Sequence, residues 1–74
     1  MNKIKVRLDT QSDVSEFVGL ATSILEEVFL EDGNKLRVNA KSLMGVMYGT
    51  SEFNDLYVLS ENEHISSKFI KFII

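Results

Sequence analysis

Few residues of this chain have side chains that could do chemistry. It contains no cysteine and a single histidine, His64. A disulfide framework and a thiolate zinc site are therefore ruled out, and one imidazole is too little for a metal cluster, so we expect no metal and no cofactor. The other candidates are two carboxylates three positions apart, Asp13 and Glu16, and a serine before an apolar stretch, Ser42. Helix capping is the simplest role for all three.

Composition and charge limit the class of protein. With 74 residues, 45% of them hydrophobic and 26% charged, the chain has the composition of one small globular domain spanning residues 1–74. Its net charge of −3 argues against nucleic-acid binding, which needs a basic surface. No apolar run approaches the roughly 18 residues of a membrane span, and charges interrupt the N-terminus, so we expect neither membrane insertion nor a signal peptide. A cytoplasmic location is therefore the expectation.

Two periodicities predict the first elements. Residues 3–8 alternate strictly between basic and apolar side chains, which is typical of a half-buried strand. Asp13 with Glu16 predicts an N-cap and its capping-box partner, and apolar residues then recur at spacings of three and four, which predicts an amphipathic helix over 13–26. The positions expected to face the core are Ile4, Val6, Leu8, Val14, Phe17, Val18, Ala21, Ile24, Leu25 and Val28.

A hairpin follows the helix. The apolar stretches 28–31 and 35–38 flank Asp-Gly-Asn at 32–34, whose residues tolerate a positive φ. We expect a three-residue loop, since a two-residue loop would mismatch the faces of the two strands. The three-residue loop places four apolar side chains on one face, with Val28 opposite Val38 and Leu30 opposite Leu36.

A short helix and a further strand come next. Ser42 is a good N-cap for a helix over 42–48, and Gly49 is typical of a helix end. Residues 53–59 read as a strand. The short helix has more apolar residues than one buried face needs, so part of its surface should be apolar.

The chain closes with an apolar segment. Ser60 and Glu63 have the spacing of a second capping box, and Ile65, Phe69, Phe72 and Ile73 continue at helical spacing, which predicts a final helix. Residues 69–74 are apolar nearly all round, so an edge strand or a terminus that associates with another molecule are open alternatives. The element order is therefore β-α-β-β-α-β-α, which favours an α+β domain with helices on one face of a single sheet.

The ten residues from Val38 to Met47, VNAKSLMGVM, closely resemble the regulatory-serine segment of HPr. HPr is the small phosphocarrier protein of the bacterial phosphoenolpyruvate-dependent sugar phosphotransferase system. The chain is similar to that family in element order over essentially its whole length, although its final helix looks a few residues short. The resemblance implies an HPr-like open-faced β-sandwich, with a four-stranded antiparallel sheet in the order 1-4-2-3 and three helices on one face.

The resemblance also implies two sites. The first is a phosphoryl-accepting histidine at the start of the first helix, within a His-x-Arg-Pro pattern. Aligning the first strand and helix places Asp13 at the histidine, Ser15 at the arginine and Glu16 at the proline, so this site is degenerate. A phosphoryl group would meet two carboxylates in place of an imidazole and a guanidinium. We therefore expect no phosphocarrier activity and no enzyme activity.

Three interpretations of Asp13 compete. It caps the helix, or its fixed negative charge imitates the phosphorylated carrier, or it forms an aspartyl-phosphate. The last normally needs a carboxylate cluster around Mg²⁺ and a nearby lysine, and neither is gathered in the sequence here. His64 lies at the first turn of the predicted last helix, where an exposed, non-catalytic histidine is the favoured interpretation.

The second implied site is the serine that opens the second helix, which an ATP-dependent HPr kinase phosphorylates in Gram-positive bacteria. Ser42 matches it, and Lys41 should lie close to a phosphate there. We expect Leu43, Val46 and Met47 to face the sheet and Met44 and Tyr48 to face solvent. The resemblance implies that this surface, with Lys41, Leu43, Met44, Met47 and Tyr48, meets HPr kinase, enzyme I, the transporter components and a catabolite-control regulator.

Three functional hypotheses follow. The first is a regulatory binding module that works through Ser42 and lacks phosphocarrier activity, similar to the catabolite-repression HPr variants that keep the serine and lack the histidine. The second is a divergent phosphocarrier that uses Asp13, Ser15 or His64 as acceptor. The third is a purely structural interaction module that self-associates through Phe69–Ile74.

Overall fold

A computed structural model describes every residue of the chain, Met1–Ile74. The strands form one antiparallel sheet in the order β1-β4-β2-β3. The predicted α+β class, the strand order 1-4-2-3 and the three helices are confirmed. None of the helices combines the length and the apolar character that crossing a bilayer requires. The elements are β1 (Asn2–Val6), α1 (Gln11–Thr22), β2 (Val28–Glu31), β3 (Arg37–Asn39), α2 (Leu43–Glu52), β4 (Leu56–Ser60), α3 (Ile65–Lys68) and a 3₁₀ helix (Ile70–Phe72).

The inner face of the sheet and the helices enclose one core. At its centre Val58 of β4 lies opposite both Ile4 of β1 and Leu30 of β2. Phe17 of α1 is fully buried, and its ring centroid lies 4.9 Å from that of Phe69. The alternation and the helical spacing therefore predicted the inner face correctly. The predicted core positions that are buried are Val6, Val14, Phe17, Ala21, Ile24 and Val28, while Ile4, Leu8 and Val18 are partly buried.

The first helix is shorter than predicted and lies nearer the N-terminus. α1 covers Gln11–Thr22 instead of 13–26. Beyond it the amide of Ile24 donates to the carbonyl of Ala21 at 3.1 Å, in a turn that brings Ile24 into the core. Leu25, predicted to face the core, is 93% exposed. It lies after the helix end, where the helical phase no longer sets the direction of a side chain.

The hairpin loop is longer than predicted, so the predicted pairing is wrong. The strands end at Glu31 and resume at Arg37. Leu30 lies opposite Val38, whereas the three-residue loop would have paired it with Leu36. The register differs by two residues, which keeps Val38 on the inner face because side chains alternate with a period of two. Leu36 falls beyond the strand and is 61% exposed.

The hairpin loop is held by one hydrogen bond within the turn and by a contact with β4. The carboxylate of Asp32 accepts a hydrogen bond from the amide of Asn34 at 2.8 Å, which tightens the turn locally. Gly33 has a φ of +94°, and a Cβ there would lie 2.9 Å from Cε2 of Tyr57. The loop is thus folded against Tyr57 of β4, a contact that no short-range pattern in the sequence reports.

The second helix begins as predicted and ends later. Ser42 is its N-cap, and the serine hydroxyl accepts a hydrogen bond from the amide of Gly45 at 3.1 Å. The helix continues to Glu52, past Gly49, where it was predicted to end. Gly49 is buried, and a Cβ at this position would lie 2.9 Å from Cδ2 of Leu30. The glycine permits close packing of α2 on β2 instead of ending the helix.

The elements after α2 also differ from the prediction. Phe53 caps the end of α2, so β4 begins at Leu56 and not at Phe53. Ser60 is the last residue of β4, and its hydroxyl donates to the carbonyl of Glu27 at 2.8 Å. The predicted capping box of Ser60 with Glu63 is therefore wrong, because the strand and the hydrogen bond to Glu27 hold the serine.

The C-terminal segment is a short helix followed by a strand-like end. Phe69 and Phe72 are buried, so they belong to the core rather than to an associating surface. Ile73 forms an antiparallel bridge with Val6, and the amide of Arg7 donates to the carbonyl of Phe72 at 2.9 Å. The segment therefore covers part of the outer edge of β1, closer to the edge-strand alternative than to a continuous helix. Its exposed apolar side chains are Ile70 and Ile74.

Two helical glycines give a matched test of the packing of α2. A Cβ at Gly19 of α1 would meet nothing within 4 Å, whereas one at Gly49 would press on Leu30. We expect Gly19→Ala to raise the free energy of unfolding by about 0.5–1 kcal/mol, through helix propensity. Gly49→Ala should lower it by about 1–3 kcal/mol, through overpacking. Urea denaturation followed by circular dichroism measures both, and equal stabilisation by the two changes would contradict the close approach.

Candidate functional site

Asp13 is the third residue of α1 and not its N-cap. The hydroxyl of Thr10 accepts from the amide of Asp13 at 3.0 Å, and the Asp13 carboxylate accepts from the amide of Thr10 at 3.2 Å. These two bonds make a capping box, with Thr10 as the cap. The predicted box of Asp13 with Glu16 is therefore wrong, although a capping role for Asp13 is right. The sequence offers two overlapping pairs with suitable residue types, Thr10 with Asp13 and Asp13 with Glu16. The first pair forms the capping box.

The Asp13 carboxylate at the start of α1 is held in its charged form. The amide of Asp9 donates to the Asp13 carboxylate at 2.9 Å and is the main cause that holds the pKa of Asp13 below its ordinary value of 3.8. Glu16 accepts a hydrogen bond from Nζ of Lys71 at 2.6 Å, and this bond raises the pKa of Lys71 above 10.5. Lys71 thereby ties the C-terminal segment to the first turns of α1.

No imidazole lies at the start of α1. The residues there are Thr10 and Gln11, and the resemblance had placed the equivalent position at Asp13 because the helix was expected to begin later. Ser15 is exposed on the next turn. His64 immediately precedes α3 and is exposed, as predicted. Across the chain, no three acidic, histidine or cysteine side chains come together as a metal ion would require.

Ser42 joins the end of β3 to the start of α2. Its amide donates to the carbonyl of Asn39 at 3.0 Å, and its hydroxyl caps the first turn through Gly45. A Cβ at Gly45 would lie 3.2 Å from the Asn39 carbonyl oxygen, so glycine lets the first turn fold back on the strand end. The side chain of Ser42 is half-buried. The sequence predicted that Ser42 caps the helix but not that Gly45 permits the close turn. A glycine three residues after the cap was the sequence feature that could have indicated it.

Lys41 has a structural contact that the sequence did not predict. Its Nζ donates to the carbonyl of Ile24 at 2.6 Å, just beyond the end of α1. Its backbone amide donates to the side-chain oxygen of Asn39 at 2.9 Å. The predicted position of the Lys41 ammonium beside Ser42 is therefore corrected: the charge is engaged at the end of α1, where carbonyl groups attract cations. Lys41, directly before the N-cap of α2, therefore connects the start of α2 to the end of α1, and its ammonium is not free to contact a group on Ser42.

The outward side of α2 carries an apolar patch, which we call the α2 surface: Leu43, Met44, Met47 and Tyr48. Met44 is 81% and Tyr48 55% exposed, which confirms the predicted exposure of both. Leu43 and Met47 were both expected to face the sheet but are 48% and 46% exposed. The buried side of α2 is narrow, because Val46 and Gly49 alone are fully turned toward the core. This leaves Leu43 and Met47 at the boundary.

The α2 surface continues into a groove beside α1. A cavity of about 420 Å³ lies between the start of α1 and the outward side of α2. Leu43 and Met47 thus belong both to the patch and to the wall of the groove. The start of α1 and the α2 surface form one continuous region, although the sequence placed them about thirty residues apart. The lining is apolar at Leu8, Val14, Leu43 and Met47 and polar at Asp9, Thr10, Gln11, Ser15, Thr50 and Ser51.

The capping box should make the stability of the fold pH-dependent. The pKa of Asp13 is lowered in the folded protein, so its contribution is fully present above the ordinary value of 3.8 and is lost as the pH falls through the lowered pKa. We expect wild type to exceed Asp13→Asn in unfolding free energy near neutral pH, and the difference to shrink in strong acid.

Urea unfolding at several pH values measures this difference. Ser42→Ala is the control, since it removes the cap of α2, worth about 1 kcal/mol, whose hydroxyl does not titrate and makes no bond to Asp13. A difference between wild type and Asp13→Asn that stays constant from neutral pH to strong acid would contradict the role of the Asp13 carboxylate in the box.

Comparison of the chain with models of known protein families, with curated proteins and with solved structures finds no match. The likeness to HPr consequently rests on two observations within the chain itself. One is the segment Val38–Met47, and the other is the order of strands and helices. Neither of them depends on the identity of the residues at the start of α1.

Proposed function

We propose that this chain is an HPr-like regulatory binding module of the phosphoenolpyruvate-dependent sugar phosphotransferase system, without phosphocarrier activity. Its docking region is the α2 surface, and phosphorylation of Ser42 regulates it. The sheet order β1-β4-β2-β3 with three helices supports the proposal, because it is the arrangement that the resemblance of residues 38–47 implies. A cytoplasmic protein of this kind acts by contact with other proteins and needs no cofactor of its own.

The observation that carries the proposal is the exposed α2 surface directly after Ser42. From Leu43 to Ser51 the helix has no charged residue, and four of its apolar side chains are about half or more exposed. Exposed apolar patches on small soluble proteins mark interaction sites, and methionine adapts to differently shaped partners. The adjoining groove between α1 and α2 offers a place for an apolar side chain of the partner.

A phosphate on Ser42 would act mainly through charge. The hydroxyl already lies within 3.1 Å of the Gly45 amide, so a phosphate there meets the N-terminus of α2, where amides and the helix dipole favour anions. It adds a charge of about −1.5 to −2 beside an uncharged apolar surface. A partner that docks on the α2 surface would therefore contact the phosphate on Ser42 directly, and the fold need not change.

Phosphoryl transfer at the start of α1 is disfavoured on chemical grounds. Three carboxylates, Asp9, Asp13 and Glu16, lie within the first turns or just before them, and the nearby cations Arg7 and Lys71 are paired with Asp9 and Glu16. A phosphoryl group arriving there would meet like charge without a free guanidinium. Partners that read Ser42 and the α2 surface are the better fit: HPr kinase, enzyme I or transporter components, and a catabolite-control regulator.

The purely structural alternative finds less support. It depended on the apolar segment Phe69–Ile74 being available for self-association, but both of its aromatic side chains are in the core. Phe72 also lies against Phe17, with ring centroids 6.0 Å apart. The segment contributes to folding, and deleting it would remove core rather than a separate docking element.

Intact-mass spectrometry tests the proposed regulation. We expect one added phosphate after incubation with HPr kinase, ATP and Mg²⁺, and none after incubation with enzyme I and phosphoenolpyruvate. Ser42→Asn is the matched variant, because asparagine caps a helix as well as serine but offers no hydroxyl. It should remain folded and gain no phosphate. Phosphate gained from enzyme I would instead indicate a divergent phosphocarrier that uses Asp13, Ser15 or His64.

A pair of substitutions tests docking on the α2 surface. Met44 is 81% exposed and Ile70, outside the surface, is 71% exposed, so a change to glutamate at either position should leave stability unchanged within about 0.5 kcal/mol. We expect Met44→Glu to slow phosphorylation of Ser42 by HPr kinase at least about tenfold, since a charge would be buried at the contact. Ile70→Glu should keep the wild-type rate, as followed by intact mass against time. Equal rates for the two variants would argue against the α2 surface.

A further inference from the structure

The face of the sheet that points away from the helices is not an ordinary polar surface. Leu59 of β4 projects from this face, yet it is only 6% exposed. It lies between its register partners Lys3 of β1 and Phe29 of β2, and basic residues come from both edge strands, β1 and β3. We call this region the outer sheet surface; it consists of Lys3, Lys5, Phe29, Glu31, Arg37, Tyr57 and Leu59.

A buried carboxylate organises the basic residues of the outer sheet surface. The side chain of Glu31 is 5% exposed and contacts Nζ of Lys3 at 3.1 Å and a guanidinium nitrogen of Arg37 at 3.0 Å. Each of these two cations is 42% exposed. The negative charge of Glu31 is therefore buried in the surface, and the positive charges of Lys3 and Arg37 lie over it, toward solvent. Lys5, 48% exposed, adds a third cation whose contact, Asp55, lies 3.5 Å away at the margin.

Two aromatic rings hold the cations in place. Nζ of Lys3 lies 4.7 Å from the centre of the Tyr57 ring, and the guanidinium of Arg37 lies 5.1 Å from that of Phe29. Cation–π contacts and the bonds to Glu31 restrict both long side chains before any partner arrives. A surface with side chains already ordered loses less conformational freedom on binding.

We propose that the outer sheet surface binds an acidic protein segment, with carboxylates on Lys3, Lys5 and Arg37 and an apolar side chain over Phe29 and Tyr57. Charge complementarity is the argument: in a chain with a net charge of −3, three accessible cations lie here against two carboxylates, Glu31, which is buried, and Asp55, which lies at the margin beside Lys5. The edge strands β1 and β3 are three strand spacings apart, roughly 14 Å, a distance that an extended segment of about four residues spans.

Nucleic acid fits this surface less well. The basic side chains lie over the two rings, so bases would have to displace them in order to stack. Three cations neutralise about three phosphates, fewer than the six to ten contacts typical of tight nucleic-acid binding. The outer sheet surface lies across the sheet from the α2 surface, so this binding does not depend on the proposed phosphotransferase-system role.

Titration of the ¹⁵N-labelled full chain with the capped peptide Glu-Glu-Leu-Glu-Glu tests the proposal. We expect amide shifts confined to β1, β2, β3 and β4 at residues of the outer sheet surface, with binding that weakens as salt is raised. The peptide Gln-Gln-Leu-Gln-Gln should cause no such shifts. Single-stranded oligothymidylate is the third probe, and we expect it not to compete.

Two lysine variants sharpen the test. Lys5→Gln removes one cation without unpairing Glu31 and should weaken binding of the acidic peptide about threefold, a typical effect for one exposed charge pair. Lys68→Gln removes an exposed lysine at the end of α3 and should leave the affinity unchanged. Shifts that map to the helices, equal effects of the two variants, absence of peptide binding, or preferential binding of oligothymidylate would each overturn the proposal.

Discussion

The pairing of β4 with both β1 and β2 is the constraint on which the rest of this fold depends. The last strand of the chain lies between the first and the second, so the sheet is incomplete until residues 56–60 are in place. Val58, fully buried, joins the two halves because it lies opposite Ile4 on one side and Leu30 on the other. Both crossing connections carry helices, and these helices share the one apolar face that the sheet offers.

The two faces of the sheet bury their apolar side chains in different ways. On the inner face, apolar side chains from strands and helices form a core in which Phe17 packs against Phe69 and Phe72. On the outer face no helix is present; Lys3 and Phe29 lie beside Leu59, and Glu31 neutralises part of the charge of Lys3 and Arg37. Lysine and arginine suit this face because their stems are apolar and their charged ends can still reach water.

The close approach of α2 to β2 accounts for the apolar patch that the functional proposal uses. Gly49 lets the helix lie close to Leu30, and Val46 is the other fully buried residue of the helix. With so narrow a buried side, the leucine, methionine and tyrosine residues of this short helix are left at its margins or in solvent. At the N-terminal end of the helix, Ser42, Gly45 and Asn39 fix the first turn against β3, so a modification of the serine would be presented from a rigid position.

The sequence by itself determined the element types, the inner face of each strand and the cap at Ser42, since alternation, helical spacing and capping are local properties of the chain. It also allowed the strand order to be predicted through the resemblance of residues 38–47. Tertiary structure alone decided between Thr10 and Asp13 as the start of α1, and it decided the hairpin register, where Gly33 packs against Tyr57. It also decided that the Lys41 ammonium bonds to the carbonyl of Ile24 beyond the end of α1 and that Phe72 lies in the core. Each of these choices depends on contacts between residues distant in the chain or on competition between equally suitable neighbours, which short-range patterns do not encode.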